Sequence, residues 1–166
     1  AGSFDGGSIW QVRWTVLPGF QAEGLLLEPR GTPRGHLILL PDAAETPESY
    51  AGLGADSPRA KALRAWVASG LQVLIPTLLD RGRRWSGNPD LATRHPAVPA
   101  TLDQSHREWI WRQAFHMGRH PMGYEVQEVL AGVDWIGQRF GTNSPVAVAG
   151  YGEGAAIAIA MVPFLL

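Results

Sequence analysis

The sequence predicts an α/β fold, a parallel sheet introduced by an antiparallel pair of strands, on three observations. The segment "IWQVRWTVL" alternates, with Trp10, Val12, Trp14 and Val16 on one face and Gln11, Arg13 and Thr15 on the other, the period of a half-buried strand. "HLILLP" (His36 to Pro41) and "QVLIP" (Gln72 to Pro76) are continuous apolar runs, as strands covered by helices on both faces require. A helical segment separates these two runs, so strand, helix and strand read as a right-handed parallel crossover.

Taken in order, Pro18-Gly19 ends the first strand and "QAEGLLLEP" forms the second, an antiparallel pair over residues 8 to 29. The apolar run from His36 is the third strand. A helix follows with Ser57 as N-cap, Pro58 at its first position, "RAKALRAWVAS" as its body and Gly70 as its stop. The fourth strand is "QVLIP". From Leu79 to about Asp103 the chain is rich in Gly, Pro, Asn and Arg, and connections of that length are usually functional. "QSHREWIWRQAFHMG" predicts one helix and "EVQEVLAGVDWIGQRFG" another, with Val126, Val129, Leu130, Val133 and Ile136 on one face and Gly141 at the end. "VAVAG" is the fifth strand, and it feeds an almost wholly apolar helix that starts near Gly154.

The composition describes one globular domain over residues 1–166, and the last helix running to the final residue gives the expectation that this domain is incomplete at its C-terminal end. The fifth strand is then an open edge, which calls for a protein partner or a missing C-terminal segment to cover it. Fourteen Lys and Arg against fifteen Asp and Glu, with neither sign segregated, argue against nucleic acid or an anionic membrane surface as a partner. The absence of cysteine removes disulfides, thiolate nucleophiles and Cys-ligated zinc. The most apolar run, "AAIAIAMVPFLL", is interrupted by Pro163 and is shorter than the roughly 18 residues of a spanning helix.

"VAVAGYGEGAAIAIA" carries two alternatives. Gly150-x-Gly152-x-x-Ala155 fits the dinucleotide fingerprint G-x-G-x-x-G/A, but it comes late in the chain and lacks the acidic residue that would hold a ribose. Gly150-Tyr151-Gly152-Glu153-Gly154 fits the nucleophile elbow G-x-S-x-G with glycine in place of serine.

Together with "GHLILLPDAAETPE", "ASGLQVLIPTLLDR" and "HREWIWRQAFHMGRHPMGYEVQEVLAGVDWI", this turn makes the chain from about His36 to Ala156 resemble an α/β-hydrolase of the dienelactone hydrolase and acetyl xylan esterase branch, ending in the helix after the elbow. The resemblance implies a carboxylic ester hydrolase architecture without a cofactor, acting on a small-molecule or carbohydrate ester if active. It places Gly152 at the nucleophile position, the Glu153 N–H as one oxyanion donor, and a second donor around Asp42 and Ala43. A glycine cannot attack a carbonyl, and the acid and histidine that follow the elbow in that family have no counterpart within these residues, so esterolysis is expected to be impaired. The resulting alternative is a non-catalytic binding or scaffold domain.

Around the turn, Glu153 is expected to be a poor base and a solvated first-turn acid, and Tyr151 to pack in the cleft wall. Arg81 and Trp85, in "RGRRW" beyond a strand's C-terminal end, are candidate substrate contacts or plain loop residues. His116 and His120 have zinc-like i, i+4 spacing, but Met117 stands where the zinc motif has Glu, and Gly118 and Pro121 interrupt the helix, so no metal site is expected. His95 and His106 are expected at the surface, and Trp109, Trp111 and Trp135 in the core.

Overall fold

The computed structural model describes residues 2–81, 105–141 and 145–165. Among the described residues six strands form one sheet: β1 (Gly2–Phe4), β2 (Gly7–Leu17), β3 (Phe20–Pro29), β4 (Gly35–Leu40), β5 (Leu71–Pro76) and β6 (Val146–Gly150), in the order β1-β2-β3-β5-β4-β6. The pairings from β1 through β3 to β5 are antiparallel, and β4 runs parallel to both β5 and β6. The expected antiparallel start and parallel centre are therefore both present, and β1 is an additional strand.

Among the described residues there are five helices, α1 (Pro47–Ala51), α2 (Pro58–Ala68), α3 (His106–His116), α4 (Pro121–Phe140) and α5 (Glu153–Leu165), of which α3 packs on α4 rather than on the sheet. The start of α2 is set as the sequence predicts, with the Ser57 side chain accepting from the Ala60 N–H and Pro58 at the first position. The continuous apolar runs divide by strand alternation between two cores. Leu37, Leu39, Val73 and Ile75 face Leu63 and Val67 of α2 with Tyr50 and Ala51 of α1. Ile38, Leu40 and Leu74 face Val129 and Ile136 of α4 with Ile157 and Met161 of α5. Both faces of the central strands are thus buried, which is why they carry no polar alternation.

Three expectations need correction. Trp10 is 44% exposed, although Trp14 on the same strand is buried, because α4 reaches only the later half of β2, where the Trp14 indole N–H donates to the Glu128 carbonyl at 3.0 Å. Trp109 and Trp111 are each 46% exposed, because α3 has Ala114 as its sole buried residue and cannot cover its own aromatic rings. On α4, Glu125 and Glu128 join Val129 and Ile136 as buried residues, while Val126, Leu130 and Val133 are only partly covered. Trp135 does pack against the second core.

A buried polar chain crosses the strands at the end opposite the β6–α5 turn. The Gln72 amide donates to the Glu28 carboxylate at 3.0 Å, which leaves its oxygen 2.7 Å from His36 Nδ1. A carboxylate can only accept, so the amide orientation follows, and the His36 Nδ1–H must be the donor. Phe140 stacks on that imidazole.

The helices that follow β4 and β6 lie on opposite faces of the sheet, so the C-terminal ends of these adjacent strands flank a topological switch point, where open α/β sheets bind ligands. Among the described strands β6 pairs only with β4, and Ile159, Val162 and Phe164 of α5 are exposed. No helix among the described residues is long and apolar enough to cross a membrane.

Candidate functional site

The turn from β6 into α5 is held tightly against the end of β4. The Tyr151 N–H donates to the Leu40 carbonyl at 3.1 Å, continuing the ladder beyond the strand. Gly154 lies so close to the Leu40 and Pro41 carbonyls that a Cβ there would overlap them, so the helix begins with its backbone pressed on the neighbouring strand. Gly152, at the apex, has φ +56°, a left-handed conformation that disfavours side chains. This is the backbone of a nucleophile elbow, a sharp turn presenting its central residue above the sheet.

The space a side chain would enter at position 152 is occupied by the Asp42 carboxyl group. One oxygen of that carboxylate, Oδ1, accepts from two backbone N–H groups, Ala43 and Glu153, each at 2.8 Å. Both expected oxyanion donors are therefore brought to one point, and an oxygen of the chain itself sits there. These two hydrogen bonds, that from Glu153 first, hold the Asp42 carboxyl below the usual carboxylate range. The Asp42 N–H in turn donates to Glu45 at 3.3 Å.

Charged side chains surround this point. Arg81, mostly buried, pairs with Glu153 at 2.9 Å and with Glu125, which is 1% exposed, and its N–H donates to the Ala43 carbonyl at 3.3 Å. Arg107 of α3 pairs with the other oxygen of Glu153. The Arg107 hydrogen bond, then that from Arg81, keeps the Glu153 carboxyl below its ordinary value. Glu153 is thus a poor base as expected, but it is clamped between two guanidinium groups rather than simply solvated. Arg59 of α2 lies 3.8 Å from the centre of the Tyr151 ring and pairs with Glu45. Tyr151 is 52% exposed and does not pack in a cleft wall, because its ring is the platform for that guanidinium.

Two clefts flank the turn. One, of about 690 Å³, is lined by residues including Glu45, Tyr50 and Arg59. The other, of about 480 Å³, is lined by residues including Arg81, Arg107, Trp111, His120 and Glu153. Trp85 and His95 lie outside the described residues. His116 ends α3 and His120 caps α4, with Gly118 at φ +65° between them, so the two imidazoles do not share a helix. His106 sits 3.6 Å from Asp80 and is half-buried. Among the described residues no group of three His, Asp or Glu side chains is placed to hold a metal.

Arg59, Arg107 and Glu125 were not legible as site residues. Only Glu125 carried a signal, since its spacing from Val129, Gly132 and Ile136 puts a carboxylate on the buried stripe of α4, where a cationic partner becomes necessary.

No protein-family model and no curated protein sequence matches the chain. Solved structures do. A Bacteroides fragilis protein designated an acetyl xylan esterase matches at TM-score 0.69 and 15% identity, over 99% of this chain and 43% of its own. A dienelactone hydrolase-like promiscuous phosphotriesterase from metagenomic libraries matches at 0.55 and 14%, over 94% of this chain and 54% of that one. The dienelactone hydrolase of Anabaena variabilis matches at 0.53 and 15%, over 93% and 56%. The chain spans about half the length of these proteins or less. The strand order, the elbow-like turn and these likenesses agree that the chain has the α/β-hydrolase fold, in the form shared by acetyl xylan esterase and dienelactone hydrolase-like esterases.

Proposed function

We propose that this chain is an esterase-type α/β-hydrolase domain that binds at its elbow without forming an acyl-enzyme there. The observation that carries this reading is the Asp42 carboxylate in the space where a side chain of residue 152 would project. Covalent acyl transfer needs a nucleophile at that point, and Gly152 supplies none. Glu153 does not substitute for it, because two arginines hold it ionised and engaged. What the turn offers is a pair of converging N–H donors flanked by Arg59, Arg81 and Arg107, suited to the carboxylate or carbonyl end of a small-molecule or carbohydrate ester.

Binding of a dinucleotide is disfavoured by the same contact. The Glu153 N–H, which would face a pyrophosphate at the helix N-terminus, already donates to an anionic carboxylate that would repel it. The test is hydrolysis of p-nitrophenyl acetate by the parent chain and by Gly152→Ala. Both are expected to run at the uncatalysed rate. Saturable turnover by the parent would overturn the proposal.

A further inference from the structure

The cleft of about 480 Å³ is walled by apolar side chains of two helices, Ile110 and Trp111 from α3 and Pro121 and Met122 from the start of α4. Its volume is that of a small-molecule site, about 300–1,000 Å³. Trp111 is 46% exposed, in a helix that docks through Ala114 alone, so most of its ring is not spent on holding the fold. Phe115, one turn further along α3, stacks on Trp111 with ring centres 5.4 Å apart and planes inclined by 17°, which holds the indole as a fixed platform. Aromatic surface kept in water at the wall of a concavity is the mark of a binding surface.

The charges that line this cleft are already matched. Arg81 pairs with Glu125 and Glu153, Arg107 pairs with Glu153, and Glu108 pairs with Arg112 one turn away. A charged ligand would compete with one of these pairs, whereas an uncharged one leaves them all standing. His120, which also lines the cleft, supplies a polar handle of fixed sense. Its Nδ1 accepts from the Met122 N–H at 3.2 Å, so the ring proton is on Nε2 and that nitrogen is a donor.

We propose that this cleft binds an uncharged, flat aromatic ring carrying an oxygen acceptor, with the ring stacked on Trp111 and the oxygen held by the His120 Nε2–H. The site is built by α3 and α4, apart from the Ala43 and Glu153 N–H groups, and it holds whether or not residue 152 can form an acyl-enzyme. Turnover of p-nitrophenyl acetate by the parent would refute the reading of the elbow and leave this site untouched, so the two fail separately.

The test follows indole and backbone amide ¹H–¹⁵N signals of the full chain during titration with acetophenone. A parallel titration uses cyclohexyl methyl ketone, which keeps the carbonyl and the approximate size but not the aromatic ring. Acetophenone is expected to move the Trp111 indole and Met122 amide signals on one saturating curve. Trp109, two residues back and so on the opposite side of the helix, should stay still. Cyclohexyl methyl ketone should bind about three- to tenfold more weakly, and Trp111→Leu should weaken acetophenone by a similar factor while Trp109→Leu leaves it unchanged. Equal binding of the two ketones, or no movement at Trp111 up to the solubility limit of acetophenone, overturns the proposal. So does tighter binding of benzoate than of acetophenone, which would make the arginines, not the ring, the selecting groups. The ketone comparison is made in the parent, so it decides the matter even if Trp111→Leu does not fold.

Discussion

Placing serine at position 152 should be far more damaging in this chain than the conservative size of the change suggests, and Asp42 is the reason. Any side chain at a backbone with φ +56° carries strain of about 1–2 kcal/mol. The new Cβ also collides with the Asp42 carboxyl, which must rotate away from the Ala43 and Glu153 N–H groups. Hydrogen bonds to a charged group contribute about 1.5–3 kcal/mol each, and because Asp42 is only half-buried the pair is better valued at about 2–4 kcal/mol. Gly152→Ser alone should therefore cost about 3–6 kcal/mol, whereas in an Asp42→Ala background only the backbone strain of about 1–2 kcal/mol remains. Urea unfolding of the parent, the two single variants and the double variant measures this directly as a coupling energy. If the cost of Gly152→Ser is the same in both backgrounds to within about 0.5 kcal/mol, the Asp42 contact is not what fills the elbow.

The buried carboxylates make two further predictions. Burial pushes the Glu128 carboxyl up to about 8, and one of its oxygens has no hydrogen-bond partner among the described residues. Its folded value lies above the unfolded one, so the stability present in acid is lost as pH rises from about 4.5 to about 8. Glu128→Gln should remove that decline and be more stable than the parent at pH 9 by roughly 2–5 kcal/mol, as thermal unfolding across the pH range would show. Arg81→Leu leaves Glu125 buried without its cation and should cost about 3–5 kcal/mol, whereas Arg81→Leu with Glu125→Leu should recover most of that loss; no recovery in denaturant unfolding would mean the pair is not what Glu125 depends on.

The fold was legible wherever a segment's periodicity and its boundaries agreed. The run of β2, the capped α2 and the apolar β4 and β5 each had one consistent solution, and the order of these elements was enough to expect an elbow at Gly150–Gly154. The aromatic residues of α3 misled because a helix can be rich in tryptophan and still dock through a single alanine; composition does not reveal how much of a helix the neighbouring layer can reach. The short α1 carried too few residues to show a period.

At the site, the family resemblance singled out the Glu153 N–H and the loop around Asp42 and Ala43, and the structure brings the Ala43 and Glu153 N–H groups to one oxygen. The sequence could not show that Asp42 turns its carboxylate onto them, since that depends on a rotamer and on the space left by a glycine more than a hundred residues away. Arg59 and Arg107 escaped for a similar reason, as arginines on exposed helix positions look alike until the tertiary fold gives them a neighbour.

The His36–Gln72–Glu28 chain has a consequence for how the sheet selects its alignment. Strands that are apolar on both faces can slide by two residues and still bury leucine, isoleucine and valine, so hydrophobicity alone leaves β4, β5 and β3 several nearly equivalent alignments. A slide of any one of them would separate three polar groups that have few other partners, at the cost of leaving buried donors and acceptors unmet. The chain therefore acts as a key cut across three strands at the end remote from the elbow. By aligning β3, β5 and β4 it fixes where β4 ends among its neighbours, and the separate pairing of Leu40 with Gly150 on β6 then brings Asp42 beneath Gly152.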